Sequence, residues 1–334
     1  MRKHILTILK TVLFLSIGFF FIWIFLRQLS PEQRQDILLS FRAADYFWVG
    51  ITVFVGAGSH LIRAARWKLI LKPLGYDPKL SNTFFAVMTG YLANLALPRL
   101  GEVTRCGILG KYEKIPVNKS FGTVIAERSV DMIVFLLLFF VNLFVFWDRL
   151  FDYVNAKVFS PLEEQLLAFS QNASKIWLAA IILAAGMTTV FVLHLFSRHA
   201  RFYLKVKELA RGFGEGFKSV LKLEKIGLFI FYTVVMWIFY FLMVYLCFFS
   251  LPETAHLGLA PGISVVVYGS VGLMVVQGGI GVYPAIVAET LLLYGVPSAK
   301  GYALGWITWS AQNIMIIIFA AVSLFVLPIL NKNR

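Results

Sequence analysis

Two hydrophobic segments of this chain are broken part-way along, and the breaks constrain its fold more than any other feature. The run from Asn82 to Leu97 stops at Leu97-Pro98-Arg99-Leu100-Gly101-Glu102. The run from Pro261 to Val276 stops at Gln277-Gly278-Gly279-Ile280-Gly281-Val282-Tyr283-Pro284. Each break frees backbone N–H and C=O groups that acyl chains cannot bond. At membrane depth such a break must be enclosed by protein or must line a wet cavity. Interrupted segments at corresponding places in two halves of a chain point to a transport site.

Composition supplies the membrane. Mean hydropathy is +0.79 over 334 residues, with 59% hydrophobic and only 14% charged. That is too little polar surface for a soluble chain of this size, so a multi-span membrane protein is expected. The apolar run from Ile8 to Leu26 is too long for a signal-peptide core and lacks a small-residue cleavage site, so it reads as a first span. Cys106 and Cys247 lie far apart at membrane depth and imply no disulfide framework.

Hydropathy places candidate spans at about 8–26, 47–65, 82–97, 122–147, 176–197, 226–250, 260–295 and 301–328. The net charge of +14 follows from how basic residues sort among the loops, not from nucleic acid. Most of the 31 lysines and arginines fall in one set of segments: the N-terminus, 63–79, 99–119, 198–225 and the C-terminus. The positive-inside rule then puts both termini in the cytoplasm. Because basic loops flank 82–109 on both sides, that stretch must enter the membrane, turn near Pro98 and return. By the same logic 260–295 enters from the outer face and turns within 277–284.

The expected fold is therefore all-α. It is a polytopic membrane protein with about six full spans plus two re-entrant, broken helical hairpins in an inverted-repeat-like arrangement. A single integral-membrane domain covers 1–334, with halves at about 1–150 and 176–330. The basic linker 198–225 is expected as an amphipathic cytoplasmic helix drawn to anionic headgroups. Localisation to the plasma (inner) membrane is the matching expectation.

Several ionisable residues fall where lipid would penalise them. Glu127 and Asp131 are four apart on one helical face, with Arg128 within reach of Asp131. Each costs about 2.5–3.5 kcal/mol at a helix centre on insertion scales, so they need partners or water. One reading is a substrate site in which Arg128 pairs with an anionic group while the carboxylates orient it or carry a proton. The other is an internal ion-pair network tying this span to the first hairpin, with Arg99, Glu102 and Arg105 as partners. Arg99, Glu102 and Arg105 recur every third residue past the first break, and a guanidinium fork suits a phosphate. Arg99 and Arg105 also suit a role as topology anchors at the interface.

Asn94 lies one turn before the break, and Gly278, Gly279 and Gly281 allow a sharp turn whose N–H groups suit an anion. Close helix packing explains the glycines equally well. Glu289, Gln312 and Asn313 are placed to face a central cavity. Gly56-Ala57-Gly58-Ser59 reads as a close helix contact with a satisfied His60 beside it. No His-Glu-x-x-His or Gly-x-Ser-x-Gly pattern occurs, and the five histidines lack ligand spacing. No metal, cofactor or catalytic residue is expected, and the chain reads as a non-enzyme.

Three stretches carry a family resemblance. They are Asn94-Leu-Ala-Leu-Pro98-Arg99-Leu-Gly101-Glu102-Val-Thr-Arg105, Thr123-Val-Ile-Ala-Glu127-Arg128-Ser-Val-Asp131 and Gly278-Gly-Ile-Gly281. With them, and over nearly its whole length, the chain resembles the lysylphosphatidylglycerol synthase transmembrane (flippase-like) family, without the soluble aminoacyl-transferase domain of its bifunctional members. The third stretch departs from the pattern, with Pro284 near the position where many members carry a glutamate. The resemblance implies movement of a lipid between leaflets, not aminoacyl transfer.

The expected function is lipid translocation or lipid-binding transport, with an anionic, aminoacylated or polyprenyl-linked headgroup held in a central polar cavity. Asn94, Arg99, Glu102, Arg105, Glu127, Arg128, Asp131, Gly278, Gly279 and Gly281 are the expected binding residues. Membrane lipids are the expected partners, envelope glycosyltransferases are candidates, and oligomerisation is open. The alternative is an accessory protein for envelope glycolipid or polysaccharide assembly, whose polar cluster is purely structural.

Overall fold

A computed structural model of the chain describes residues 20, 22–27, 29–97, 99–165, 184–188, 220 and 223–332. The expected spans at 8–26 and 176–197, the linker 198–225 and Pro98 therefore lie wholly or mostly outside the described residues. All regular structure among the described residues is helical.

Local sequence sets the helix ends. Helix α1 (Pro31–Ala43) begins with a capping box: the Gln33 N–H donates to Ser30 Oγ, and the Ser30 N–H donates to Gln33 Oε1. Asp45 caps α2 (Tyr46–Leu71) by accepting from the Phe47 N–H. Helix α2 ends in the 3₁₀ turn Lys72–Leu74 and a left-handed Gly75. Helices α3 (Leu80–Ala96) and α4 (Leu100–Glu113) flank the first break, where Arg99 takes a left-handed φ of 62°. Lys114 (φ 59°) and Pro116 stop α4 before α5 (Val117–Val145). Helix α6 (Trp147–Val154) follows and runs into the π-helical Asn155–Phe159.

The second half repeats this order. A long α7 (Ile226–Phe248) and a short α8 (Pro252–Ala255) precede α9 (Leu259–Val275), the turn Gln277–Gly279 and α10 (Val282–Leu292). Helix α11 (Ser298–Leu330) closes the chain. Among the described residues, four stretches are long and apolar enough to cross a membrane: Tyr46–Leu74, Val117–Val145, Ile226–Phe248 and Ser298–Leu330. They coincide with four of the spans expected from hydropathy. By contrast α3 and α4, at 1.5 Å per residue, are about 26 and 21 Å long, and α9 and α10 about 26 and 17 Å. All four fall short of a hydrocarbon core of roughly 30 Å.

The described residues group into two compact units, Met1–Asn142 with Gly216–Arg334, and Leu143–Glu215. In the first unit glycine sets the closest approaches. Helices α3 and α4 cross where Gly90 meets Gly101, and a Cβ on Gly101 would overlap the Gly90 carbonyl oxygen. Gly301 and Gly305 of α11 lie against the backbone of Ala288 and Pro284 on α10, so Pro284 serves helix packing. Gly56 of α2 packs on Met243 of α7 and Met315 of α11, as the glycine-rich stretch predicts.

Each half leans on the other half's hairpin. Helix α11 packs along α3, with reciprocal Asn82–Asn331 amide bonds of 2.9 Å at one end. Helix α5 touches α9 through Asn142 Nδ2, which donates to Ser264 Oγ at 3.0 Å, and through an edge contact of Phe139 with Tyr268. The two breaks also meet: the C-terminal part of α3 packs on the turn Gln277–Gly279, with Leu95 the neighbour that a Cβ on Gly278 would touch.

Candidate functional site

The site is assembled from α2, α4, α5 and α7, and its floor is an ion network. One face of α2 carries Gly56, Ser59, His60, Arg63, Arg66, Trp67 and Ile70, all buried. That spacing puts small residues where α7 crosses and puts Arg63 and Arg66 one turn further on. Helix α5 presents Glu127 and Asp131 to them. Arg63 Nη1 donates to Glu127 Oε1 at 2.9 Å, and Arg63 Nη2 donates to Asp131 Oδ2 at 3.0 Å. Arg66 Nη2 reaches Glu127 Oε1 at 3.2 Å and Asp131 Oδ1 at 2.7 Å. Tyr240 OH of α7 accepts from Arg63 Nε and Nη2, and Thr233 Oγ1 accepts from Arg66 Nη1.

From the hairpin, Arg105 brings Nη2 to 3.1 Å from Glu127 Oε2, close enough for an ion pair but off the line of a hydrogen bond. Its guanidinium lies 4.5 Å from the centroid of the Trp67 ring, and that ring's Nε1 donates to Thr123 Oγ1. Glu127 is fully buried, with three arginines around it. Desolvating an ion costs several kcal/mol even after relaxation, so a carboxylate this deep persists only with such partners.

The network's outer edge is different. Arg128 Nη2 pairs with Glu102 Oε1 at 3.1 Å, and the two side chains are 39% and 21% exposed. Beside this pair lies a narrow, partly open recess with room for about one water, lined by Tyr91, Asn94, Gly101, Glu102, Arg105 and Arg128 among others. Four guanidiniums (Arg63, Arg66, Arg105 and Arg128) face three carboxylates (Glu102, Glu127 and Asp131), so the cluster carries one excess positive charge.

The structure thus brings together Asn94, Glu102, Arg105, Glu127, Arg128 and Asp131, and it leaves Arg99 apart. Arg99 is exposed at the turn and serves as the N-terminal cap residue of α4. Arg128 pairs with Glu102, not with Asp131 on its own helix, because Arg63 and Arg66 already hold Asp131. Asn94 Oδ1 accepts from the Gly101 N–H at 2.7 Å, which closes the broken tip.

Gly278, Gly279 and Gly281 all have positive φ, so the sharp turn needs glycine. Its polar groups are drawn inward: the Gly279 N–H donates to the Val276 carbonyl, and Gly278 O accepts from Trp309 Nε1 at 2.5 Å. The expectation that His60 is satisfied fails. Both ring nitrogens are buried without a hydrogen-bond partner, and the ring lies tilted at 45° against Tyr91, with centroids 4.5 Å apart.

Sequence reasoning missed Arg63, Arg66 and Tyr240. The positive-inside rule places the two arginines among cytoplasmic charges because the hydropathic span ends near residue 65, whereas α2 runs to Leu71. Their register with Gly56, Ser59 and His60 was the available signal. A polar stripe on one face of an apolar helix faces protein.

The family model described as the lysylphosphatidylglycerol synthase TM region matches residues 8–320. The chain belongs to that family. Among curated proteins, a UPF0104 membrane protein of Methanocaldococcus jannaschii is 24% identical over 308 residues, covering 89% of this chain and 88% of the relative. A UPF0104 membrane protein of Methanothermobacter thermautotrophicus is 27% identical over 113 residues, about a third of each chain. No solved structure matches. As a member of the lysylphosphatidylglycerol synthase TM family, the chain is a membrane protein with several apolar helices, consistent with a multi-pass arrangement.

Proposed function

We propose that this family member handles a lipid, taking its headgroup into the recess between α3, α4 and α5 and passing it between leaflets of the plasma membrane. The observation that carries the reading is the recess itself. It is a polar opening beside a charged network, flanked by helices too short to cross the bilayer and edged by the half-exposed Arg128–Glu102 pair. In this reading α3–α4 and α9–α10 are re-entrant hairpins entering from opposite faces, and both termini are cytoplasmic. The meeting of the two breaks at Leu95 and Gly278 supports it, as does the way each half leans on the other's hairpin.

The fully buried part of the network acts as a lock. Glu127 with Arg63 and Arg66 holds α2 to α5, while Arg105 ties in the hairpin. This division combines the two readings of the charged residues: the deep pairs are structural, and the edge pair meets the lipid. Leaflet-resolved transport of fluorescent phospholipids in vesicles containing the purified protein tests it. Wild-type protein is expected to move lipid, and Arg128→Gln is expected to slow it at least tenfold with unchanged thermal stability. Transport no faster than in protein-free vesicles would end the proposal.

A further inference from the structure

The orphaned His60, the Asn142–Ser264–Tyr294 chain and the Arg105–Arg128 recess each hold buried polar groups. His60 faces Tyr91 with no cavity of its own, and Asn142, Ser264 and Tyr294 largely satisfy one another. The recess differs because an unpartnered cationic donor lines an open space there. Arg105 is buried; its Nη2 is held by the ion pair to Glu127, and its Nε has no partner at all. A buried donor left unmet is destabilising, and more so when it is charged. Arg105 lines the recess together with Arg128, so two guanidiniums from different helices border one small space. The first turn of α4, at Gly101 and Glu102, opens onto the same space and adds the positive end of that helix.

One carboxylate already sits there. Glu102 meets Arg128 through Oε1 only, and its Oε2 is buried without a partner. A carboxylate using one oxygen on one arginine fills an anion site poorly, because two guanidiniums can offer paired N–H forks. Resting on the lipid-handling reading above, we infer that the Arg105–Arg128 recess binds a phosphate-type oxyanion, and that Glu102 is its internal stand-in, displaced from Arg128 when the oxyanion enters. The tetrahedral group takes the spare Nε–H of Arg105 and a fork from Arg128. Glu102, released, is left with its carboxylate free toward the open side of the recess. The excess positive charge of the cluster is neutralised by a singly charged phosphodiester.

The test uses the full chain in detergent and isothermal titration with three probes: dihexanoyl phosphatidylglycerol, its phosphate-free analogue dihexanoylglycerol, and inorganic phosphate. The phosphate-bearing lipid is expected to bind and dihexanoylglycerol not to bind. Arg128→Gln should weaken binding at least tenfold. Glu102→Gln should tighten it roughly tenfold, because the competing carboxylate is gone. That gain cannot come from misfolding.

Binding of inorganic phosphate alone, with the same response to both variants, supports the oxyanion site and counts against a lipid as its occupant. Equal binding of the phosphate-free lipid overturns the inference, as does a Glu102→Gln variant weakened as much as Arg128→Gln. Should that happen, transport of a phosphate-free glycolipid in the vesicle assay would still support lipid handling. The two proposals can therefore fail separately.

Discussion

The two broken hairpins solve one problem in opposite chemical senses. At the first break the liberated group that needs care is a donor, the Gly101 N–H, and a side-chain carbonyl from Asn94 meets it. At the second it is an acceptor, the Gly278 carbonyl, and a side-chain donor from Trp309 meets it. The first tip has charged residues immediately after it, at Arg99, Glu102 and Arg105, and borders the ion network. The second is made of glycines packed by Leu273, Tyr283 and Leu95. A break between two helices need not be a binding site. It becomes a candidate only where the surrounding donors outnumber the groups that use them.

This contrast can be broken first at the network. Glu127→Leu leaves Arg63, Arg66 and Arg105 without their shared carboxylate, and removing one partner of a buried pair costs about 3–5 kcal/mol. Folded yield and unfolding midpoint in detergent should fall sharply. A variant as stable as wild type would mean that water, and not Glu127, neutralises the arginines.

The glycine crossings sharpen the contrast next. Gly101→Ala forces a Cβ onto the Gly90 carbonyl, backbone against backbone, and should cost about 1–3 kcal/mol. Gly269→Ala meets the Tyr283 ring, a side chain that can yield, and should cost less. Thermal unfolding of the two variants side by side checks the order. The smallest effect is expected at Trp309→Phe, which deletes the bond to Gly278 O for about 1 kcal/mol. Faster hydrogen exchange confined to residues 276–282 would mark a loosened second tip. An unchanged exchange pattern would show that packing alone holds the turn.

Much of the architecture is legible in one dimension. The four long helices follow from uninterrupted apolar length, and both breaks follow from Pro98 and the Gly278–Gly281 cluster. Glu127 and Asp131 announce themselves because carboxylates inside an apolar run require an explanation. Arg63 and Arg66 are harder, since arginines just past a hydropathic segment look like topology anchors. Only their helical register with Gly56 and His60 argues otherwise. The pairing of Arg128 with Glu102 could not be read along the chain, because Asp131 is nearer in sequence and is taken by residues 65 and 68 positions away.

Covalent order alone therefore determined which stretches prefer lipid, where the backbone must turn and which side chains cannot face acyl chains. These are properties of single residues and of their spacing. Tertiary structure decided who neutralises whom. The choice among seven charged side chains depends on distances of about 3 Å between three helices, and in a low-dielectric interior a carboxylate takes the guanidiniums that packing delivers to it, whatever their separation along the chain.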